Sequence, residues 1–300
     1  MSRVNYTVYS ILLMTTRRLF LKKVGGSVAI ATVNPAIAGA DASQTAGRPA
    51  EDLFKLGMAG YSFLHFKLDQ ALDMMKKTDV HYLCIKDFHL PYASTAEQIS
   101  TFHETLKKAG VTGYGVGPIY MKTTQEIDNG FDYARRVGVK LIVGVPNEDL
   151  LPYVDKKVKE YDMRYAIHIH GPDIKLWPNA TSVINAVKNL DPRIGLCFDI
   201  GHDVRYGDDP IADMEKYAKR IFDIHLKNVT AASKEGKTCE LGRGVIDIPA
   251  FVNVLRKVRY DGYCGLEYEK DMKDPLAGIA ESVGYFKGVC DATKSGRRKA

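Results

Sequence analysis

Short apolar runs alternate with amphipathic segments eight times between residues 54 and 290 of this 300-residue chain. The segments between the runs repeat apolar residues at helical spacing, which indicates crossover helices between parallel strands. Eight such units of about 30 residues each predict an α/β fold that closes on itself, a single-domain (β/α)8 TIM barrel. The runs that we expect to form the strands are Leu56–Tyr61, Tyr82–Lys86, Gly113–Val116, Leu141–Val145, Tyr165–His170, Gly195–Asp199, Phe222–Lys227 and Tyr263–Tyr268.

An open, doubly wound sheet is the alternative arrangement for alternating strands and helices. Such a sheet usually carries a glycine-rich phosphate-binding loop directly after its first strand. Here the first run leads into AGYSFLHF, which has no GxGxxG pattern. The Gly-x-Gly pairs at Gly115 and Gly117 and at Gly242 and Gly244 are too short to be nucleotide fingerprints. The closed barrel is therefore the favoured fold.

The first 40 residues have the features of an export signal. Residues 16–22 read TRRLFLK, which closely resembles the twin-arginine signal, and a moderately apolar stretch follows from Val24 to Ile37. Alanines at the spacing that a signal peptidase accepts come next. The apolar stretch is too short to span a membrane, which takes about 20 apolar residues. A basic amphipathic N-terminus that is not a targeting signal is the less favoured alternative.

These observations predict the organisation of the chain and its location. We expect residues 1–40 to be a twin-arginine signal region that is removed, and the mature protein to be periplasmic or exported, with membrane contact only during export. Because Met14 stands just before the signal, residues 1–13 could come from a gene start placed too early. The remaining expected segments are a linker at 41–53, the barrel at 54–290 and a basic tail at 291–300.

The positive charge of the chain lies mostly outside the expected barrel. The formal net charge is +6, of which residues 1–50 carry +5 and residues 291–300 carry +3, which leaves −2 for residues 51–290. A nucleic-acid-binding domain concentrates positive charge on its own surface. The charge distribution therefore argues against a nucleic-acid partner.

The cysteine pattern favours buried thiols over a disulfide framework. The chain has five cysteines and no CxxC motif, and three of the cysteines lie inside apolar runs. An exported protein can form disulfides. The odd number and the apolar surroundings nevertheless favour small buried hydrophobic residues. The five are Cys84, Cys197, Cys239, Cys264 and Cys290.

Polar residues end most of the apolar runs, and in a TIM barrel the chemistry gathers where the strands end. Two histidines fall elsewhere, His81 at a strand start and His103 within a helix, and we expect structural or surface roles for them. The polar residues at the run ends are Lys86 and His89, Asn147, His168 and His170, Asp199 and His202, His225 and Lys227, and Glu267 and Glu269.

Four of these run-end residues, here called the candidate ligands, come from four successive strands and are of types that bind divalent metals. They are His168, Asp199, His225 and Glu267. Two imidazoles with two carboxylates suit Mn²⁺, Zn²⁺, Co²⁺ or Fe²⁺ better than Ca²⁺, and Mg²⁺ is a further candidate. The sequence therefore predicts one divalent metal as the cofactor.

Several motifs together resemble the sugar isomerase/epimerase family, the xylose-isomerase-like barrel group that includes tagatose and psicose epimerases, hydroxypyruvate isomerase and inosose dehydratase. The motifs are AIHIHG, GLCFDIGHDVRYGDDP, DIHLKN and ELGRGVIDIPAFVNVLRKVRYDGYCGLEYE, and KDFHLP is similar to a subgroup labelled sugar phosphate isomerase/epimerase. The resemblance covers about residues 54 to 290. It implies metal ligands at Asp199, His225 and Glu267, and it places His168 where the epimerases have a glutamate that is both ligand and base.

The resemblance implies a metal-dependent carbohydrate isomerase or epimerase that removes the proton next to a carbonyl and passes through an enediolate. The substrate partner would be a small sugar, and an oligomer remains open. Because a histidine replaces the family's glutamate at 168, the two-glutamate proton exchange of the epimerases cannot be copied directly. We expect catalytic roles for His168, His170, Glu267 and Lys227. We expect substrate contacts from Lys86, His89, His202 and Arg205.

Three other functions stay open at this point. The export signal favours an exported 3-keto-glycoside lyase or hydratase with the same metal-assisted chemistry, because sugar phosphates are kept inside the cytoplasm. An apurinic-site endonuclease shares this barrel but needs further metal ligands and a basic face. A non-catalytic sugar-binding barrel would need no metal, so the complete set of candidate ligands argues against it.

Overall fold

The computed structural model describes residues 51–295. The expected signal region lies outside the described residues, as do residues 41–50 of the linker and 296–300 of the tail. The barrel strands are β1 (Lys55–Ala59), β2 (Tyr82–Ile85), β3 (Thr112–Met121), β4 (Leu141–Pro146), β5 (Arg164–His168), β6 (Ile194–Asp199), β7 (Ile221–Leu226) and β10 (Tyr263–Leu266). These eight parallel strands close into a barrel in the order β1-β10-β7-β6-β5-β4-β3-β2, which confirms the predicted (β/α)8 TIM barrel.

Helices follow the strands along the chain, and polar side chains begin several of them. Thr95, Thr123 and Asn179 each accept a hydrogen bond from the backbone N–H three residues on, which satisfies a free donor at the helix start. The α-helices are α1 (Leu68–Lys77), α2 (Ala96–Lys108), α3 (Thr124–Val137), α4 (Leu151–Tyr161), α5 (Ala180–Val187), α6 (Ile200–Tyr206), α7 (Pro210–Tyr217), α8 (Ile248–Lys257) and α9 (Leu276–Ser295).

Two short strands, β8 (Asn228–Val229) and β9 (Thr238–Cys239), pair antiparallel directly after β7. Four 3₁₀ helices complete the described elements: Gly60–Phe63, Glu148–Leu150, Gly171–Asp173 and Ala218–Arg220. No helix in residues 51–295 is long and apolar enough to cross a membrane.

Apolar side chains pack on both sides of the sheet. A small cluster that includes Tyr114, Val143 and Ala166 is separate from the larger cluster. The larger cluster joins strand residues such as Ile142 to helix residues such as Phe251. All five cysteines are free and buried, as the sequence predicted.

Helix α6 and the β8–β9 pair were not predicted, and the predicted elements differ from the observed ones at their ends. β3 continues to Met121, five residues beyond the predicted end, because alternate residues past Val116 remain buried. The run predicted to reach Tyr268 leaves the strand at Leu266. Helix α9 passes residue 290, the expected end of the barrel, and its Lys294 lies 3.1 Å from Asp52. The first residues of the predicted basic tail are therefore helical.

Candidate metal centre

Strand direction brings the candidate ligands together. His168 and Asp199 are the last residues of β5 and β6, His225 lies near the end of β7, and Glu267 follows β10 directly. The carboxyl ends of parallel barrel strands meet at one rim. One ligand atom from each of the four side chains lies within 4.8 Å of those of the others. All four are buried, with no more than 3% of their surface exposed.

Several buried polar atoms at this centre have no hydrogen-bond partner. They include His168 Nδ1 and His225 Nε2. Buried polar atoms are almost always paired, since an unpaired one keeps its full desolvation cost. The unpaired atoms belong to the candidate ligands themselves. The donor set therefore fits a divalent metal bound between these side chains.

Strand β7 and the residue directly after it supply buried polar side chains at alternate positions. Asp223, His225 and Lys227 are all buried, as expected for positions two apart that share one face. Asp223 lies 3.8 Å from His225 Nε2, and its carboxylate accepts a hydrogen bond from the Tyr114 hydroxyl. Burial opposes protonation of His225, but the carboxylates of Glu267, Asp223 and Asp199 outweigh it and raise its pKa to about 9. The centre therefore attracts positive charge.

The Lys227 ammonium lies among three carboxylates. Its Nζ is 3.1 Å from Asp199, 2.8 Å from Glu267 and 2.8 Å from Glu269. Burial alone would lower the pKa of Lys227, but these carboxylates raise it well above its ordinary value. The three carboxylates carry more negative charge than the Lys227 ammonium balances. The remainder favours further positive charge at the centre, which a protonated His225 or a bound divalent cation would supply.

His170 lies beside the candidate ligands and has a partner that the sequence did not reveal. The Tyr120 hydroxyl and His170 Nε2 are 2.8 Å apart, while His170 Nδ1 is buried without a partner. The rings of His170 and His168 are 4.8 Å apart between centroids. Burial lowers the pKa of His170 to about 4. A neutral imidazole with one nitrogen held and the other free is thus placed at the rim.

Helix α6 carries the next two predicted site residues. Asp199 caps the helix by accepting a hydrogen bond from the backbone N–H of His202, and His202 Nε2 is 3.3 Å from Lys227 Nζ. The Arg205 guanidinium lies 2.7 Å from the Asp173 carboxylate and donates to the Lys234 carbonyl. His202 thus lies at the centre, and Arg205 contacts its Nδ1 at 3.4 Å while joining two loops beside it.

The predicted substrate residues Lys86 and His89 lie after β2. Lys86 donates to the Pro118 carbonyl at 2.8 Å and lies 3.2 Å from Asp87. His89 Nε2 donates to the Phe66 carbonyl at 3.0 Å. Within residues 51–295, no hydrogen bond or ion pair connects either side chain to a candidate ligand.

We expected structural or surface roles for two histidines, His81 and His103. Both contact backbone carbonyl groups and not the candidate metal centre. His81 Nδ1 is 3.0 Å from the Gly110 carbonyl, and His103 Nε2 is 2.9 Å from the Val137 carbonyl. Both residues therefore connect neighbouring elements.

The fold and this centre define the class of the protein: a (β/α)8 barrel with a His/Asp/Glu cluster that could hold a metal ion at the rim where the strands end. The sequence pattern of the xylose isomerase-like TIM barrel family matches residues 87–289. The chain belongs to this family.

Curated relatives are similar over part of their length. The rhizopine catabolism protein MocC of Rhizobium meliloti is 29% identical over 164 residues, which is 46% of this chain and 50% of that protein. An inosose dehydratase of Clostridium beijerinckii is 34% identical over 109 residues, which is 31% of this chain and 37% of that enzyme. The chain thus spans half or less of the length of these relatives.

Solved structures are similar over nearly the whole of their chains. A protein from Parabacteroides distasonis has 26% identity and a TM-score of 0.63, covering 79% of this chain and 99% of its own. A D-tagatose 3-epimerase-like protein has 16% identity and a TM-score of 0.66, and the match covers 81% of this chain and 99% of that protein. The IolI protein, crystallised with a zinc atom, has 16% identity and a TM-score of 0.60, and the match covers 82% of this chain and 100% of that protein. The last two show the shared fold.

Proposed function

We propose that this chain is a metal-dependent enzyme that removes the proton next to a carbonyl of a sugar-like substrate, with isomerisation or epimerisation as the outcome. The observation that carries the proposal is the convergence of four buried ligand-type side chains, each with a ligand atom within 4.8 Å of those of the others. A divalent metal would polarise the substrate carbonyl and acidify the neighbouring C–H bond. The residues that would hold it are His168, Asp199, His225 and Glu267.

His170 is the side chain best placed to move the proton. Its Nδ1 has no partner, and Tyr120 holds its Nε2, so the ring has one nitrogen free for substrate. His168 is one of the candidate ligands, and a ligating imidazole has committed its lone pair. Glu267 is the alternative base, but Lys227 and His225 already contact its two oxygens. Proton transfer by a positioned imidazole fits this arrangement.

Lys227 is suited to hold the centre in shape and to support negative charge on the substrate. Its ammonium binds Asp199 and Glu267, which fixes both carboxylates, and it is cationic because those carboxylates surround it. Negative charge that develops on a substrate oxygen is stabilised by a cation already in place. We propose this as the role of Lys227.

A second candidate function is elimination, as in an exported 3-keto-glycoside lyase or hydratase. Removal of the same proton can expel a substituent on the next carbon instead of leading to reprotonation. Several curated relatives are named inosose dehydratase, at 27–34% identity, and those names describe an elimination. Their names support this candidate for the present chain.

Deuterium exchange separates the two candidates. The metal-loaded protein is incubated in D₂O with free ketoses and, in parallel, with 3-keto-glycosides. Deuterium uptake with product sugars of unchanged composition would support the isomerase or epimerase, and release of the aglycone would support the lyase. Glu267→Gln is expected to abolish both readouts, and His103→Gln, which lies away from the centre, is expected to change neither. If metal-replete wild type shows no deuterium uptake and no release of the aglycone, both candidates are contradicted.

A further inference from the structure

A second group of carboxylates lies between α6 and α7, apart from the candidate ligands. Asp203 is in α6, Asp208 follows that helix, and Asp213 is in the first turn of α7. Each offers one carboxylate oxygen, and the three oxygens lie within 4.8 Å of one another. We call this group the aspartate cluster. Nothing in the proposed reaction uses it.

The most buried member of the aspartate cluster has an oxygen without a partner. Asp203 has 0% of its surface exposed, and its Oδ2 makes no hydrogen bond. Its Oδ1 accepts a single long hydrogen bond, 3.4 Å, from the Ala180 backbone N–H. Asp213 Oδ2 is also buried without a partner. A buried carboxylate oxygen left in this state is costly unless a cation or a proton occupies it.

The surrounding side chains do not supply that cation. Within residues 51–295, no lysine, arginine or histidine lies at ion-pair distance from any of the three aspartates. Asp208 accepts a 2.6 Å hydrogen bond from the neutral Asn179 amide. Lys216 and Asp209 influence Asp213 only at longer range. Burial, reinforced by the neighbouring carboxylates, raises the pKa of Asp203 to about 8, which shows how poorly the charge is balanced.

We propose that Asp203, Asp208 and Asp213 bind a hard divalent cation of the Ca²⁺ or Mg²⁺ class, at a site separate from the candidate ligands. An all-carboxylate set of oxygens prefers such ions, whereas the two imidazoles of the first centre favour softer metals. The cation would tie α6 to the start of α7. Because Asp199 is the N-cap of α6, the tie would also stabilise the helix start that a candidate ligand caps.

Calorimetry with each cation alone tests the site. Chelator-treated full-length protein is titrated with CaCl₂ and, separately, with MgCl₂, and its Tm is measured with and without each ion at about 1 mM. We expect one stoichiometric binding event and a higher Tm for at least one ion. Asp213→Asn should weaken that binding by at least about tenfold, the effect of removing a charged ligand. Asp208→Asn serves as a second variant should Asp213→Asn fold poorly.

Matched controls keep this site distinct from the metal centre. Asp69→Asn makes the same charge change in the first turn of α1, at an exposed position, and should leave binding unchanged. Glu267→Gln should keep the Ca²⁺ or Mg²⁺ event, and Asp213→Asn should keep the transition-metal content by elemental analysis. Absence of binding for both ions in wild type would overturn the proposal and assign the cluster a shared proton. Loss of binding in Glu267→Gln but not in Asp213→Asn would also overturn it.

Discussion

His168 and His170 are two residues apart, yet their surroundings differ. His168 has an unpaired Nδ1 among the candidate ligands, whereas His170 is held by Tyr120 at the rim. We expect His168→Ala to lose metal affinity and activity together. We expect His170→Ala to keep the metal and to slow C–H exchange by roughly 10²- to 10⁴-fold, the usual contribution of a general base. Elemental analysis and deuterium exchange provide the two measurements.

The opposite pattern would change the assignment of the base. Wild-type exchange in His170→Ala would remove that residue from the mechanism. A metal-replete but inactive His168→Ala would make His168 the base instead of a ligand. His103→Gln is the control for a general effect of losing an imidazole, because His103 hydrogen-bonds the Val137 carbonyl, away from the centre.

The candidate ligands could be predicted from the sequence because each ends an apolar run, and strand direction alone gathers the run ends. Tyr120 could not, because the predicted strand stopped at Val116 and no local pattern pairs it with His170. The contact of Glu269 with Lys227 depends on how the chain turns after β10. Such pairings are set by tertiary packing and leave no periodic signal.

At the level of elements, the short β8–β9 pair is tied to the loop after β10 through Glu240. This buried carboxylate accepts hydrogen bonds from Lys270 Nζ and the Tyr268 hydroxyl, at 2.8 and 2.9 Å. The Lys270 ammonium is the main cause that lowers the pKa of Glu240 to about 2, against an ordinary value of 4.5. A lowered carboxyl pKa stabilises the fold above pH 4.5, and the contribution disappears as the pH falls toward 2.

Lys270→Met should therefore lower the Tm by a few degrees at pH 7 and by progressively less below pH 4.5. The reason is that Glu240, once protonated, no longer needs the ammonium. Thermal melts of wild type and variant at matched pH values from 7 to 3 would measure the difference. Lys257→Met, which removes an exposed ion pair with Glu215, is the control and should have little effect at any pH. A pH-independent difference for Lys270→Met would show that the lysine acts through packing.

The existence and order of the eight barrel strands followed from the sequence, whereas helix α6, the β8–β9 pair and several boundaries did not. The alternation of apolar runs reports which segments are buried, and burial decides the fold class. The extension of β3 to Met121 contains Gly117 and Pro118, which are atypical of strands. The pairing of Tyr120 with Val145 of β4 keeps this part in the sheet. Neighbouring strands, and not local preference, set its length.

For the molecule as a whole, we propose export through the twin-arginine route. Such a route carries folded proteins, and the five cysteines of the barrel are free and buried, so folding needs no oxidation. Replacement of Arg17 and Arg18 by lysine should trap the protein in the cytoplasm, because the arginine pair is the essential part of the export signal. Fractionation followed by immunoblotting measures this. Unchanged recovery of the double variant outside the cytoplasm would contradict the interpretation of the N-terminus.

Asp52 connects the two ends of the described chain, since it contacts Lys294 at 3.1 Å and Arg256 at 2.6 Å. Both basic residues lie in the last turns of their helices, at the end of the barrel where the strands begin. The candidate metal centre lies at the opposite end, where the strands finish. A reporter domain or a solid support attached at residue 51 or residue 295 would therefore lie at the end of the barrel opposite the candidate ligands. Adjacent ends also suit circular permutation, with a short peptide joining residue 295 to residue 51.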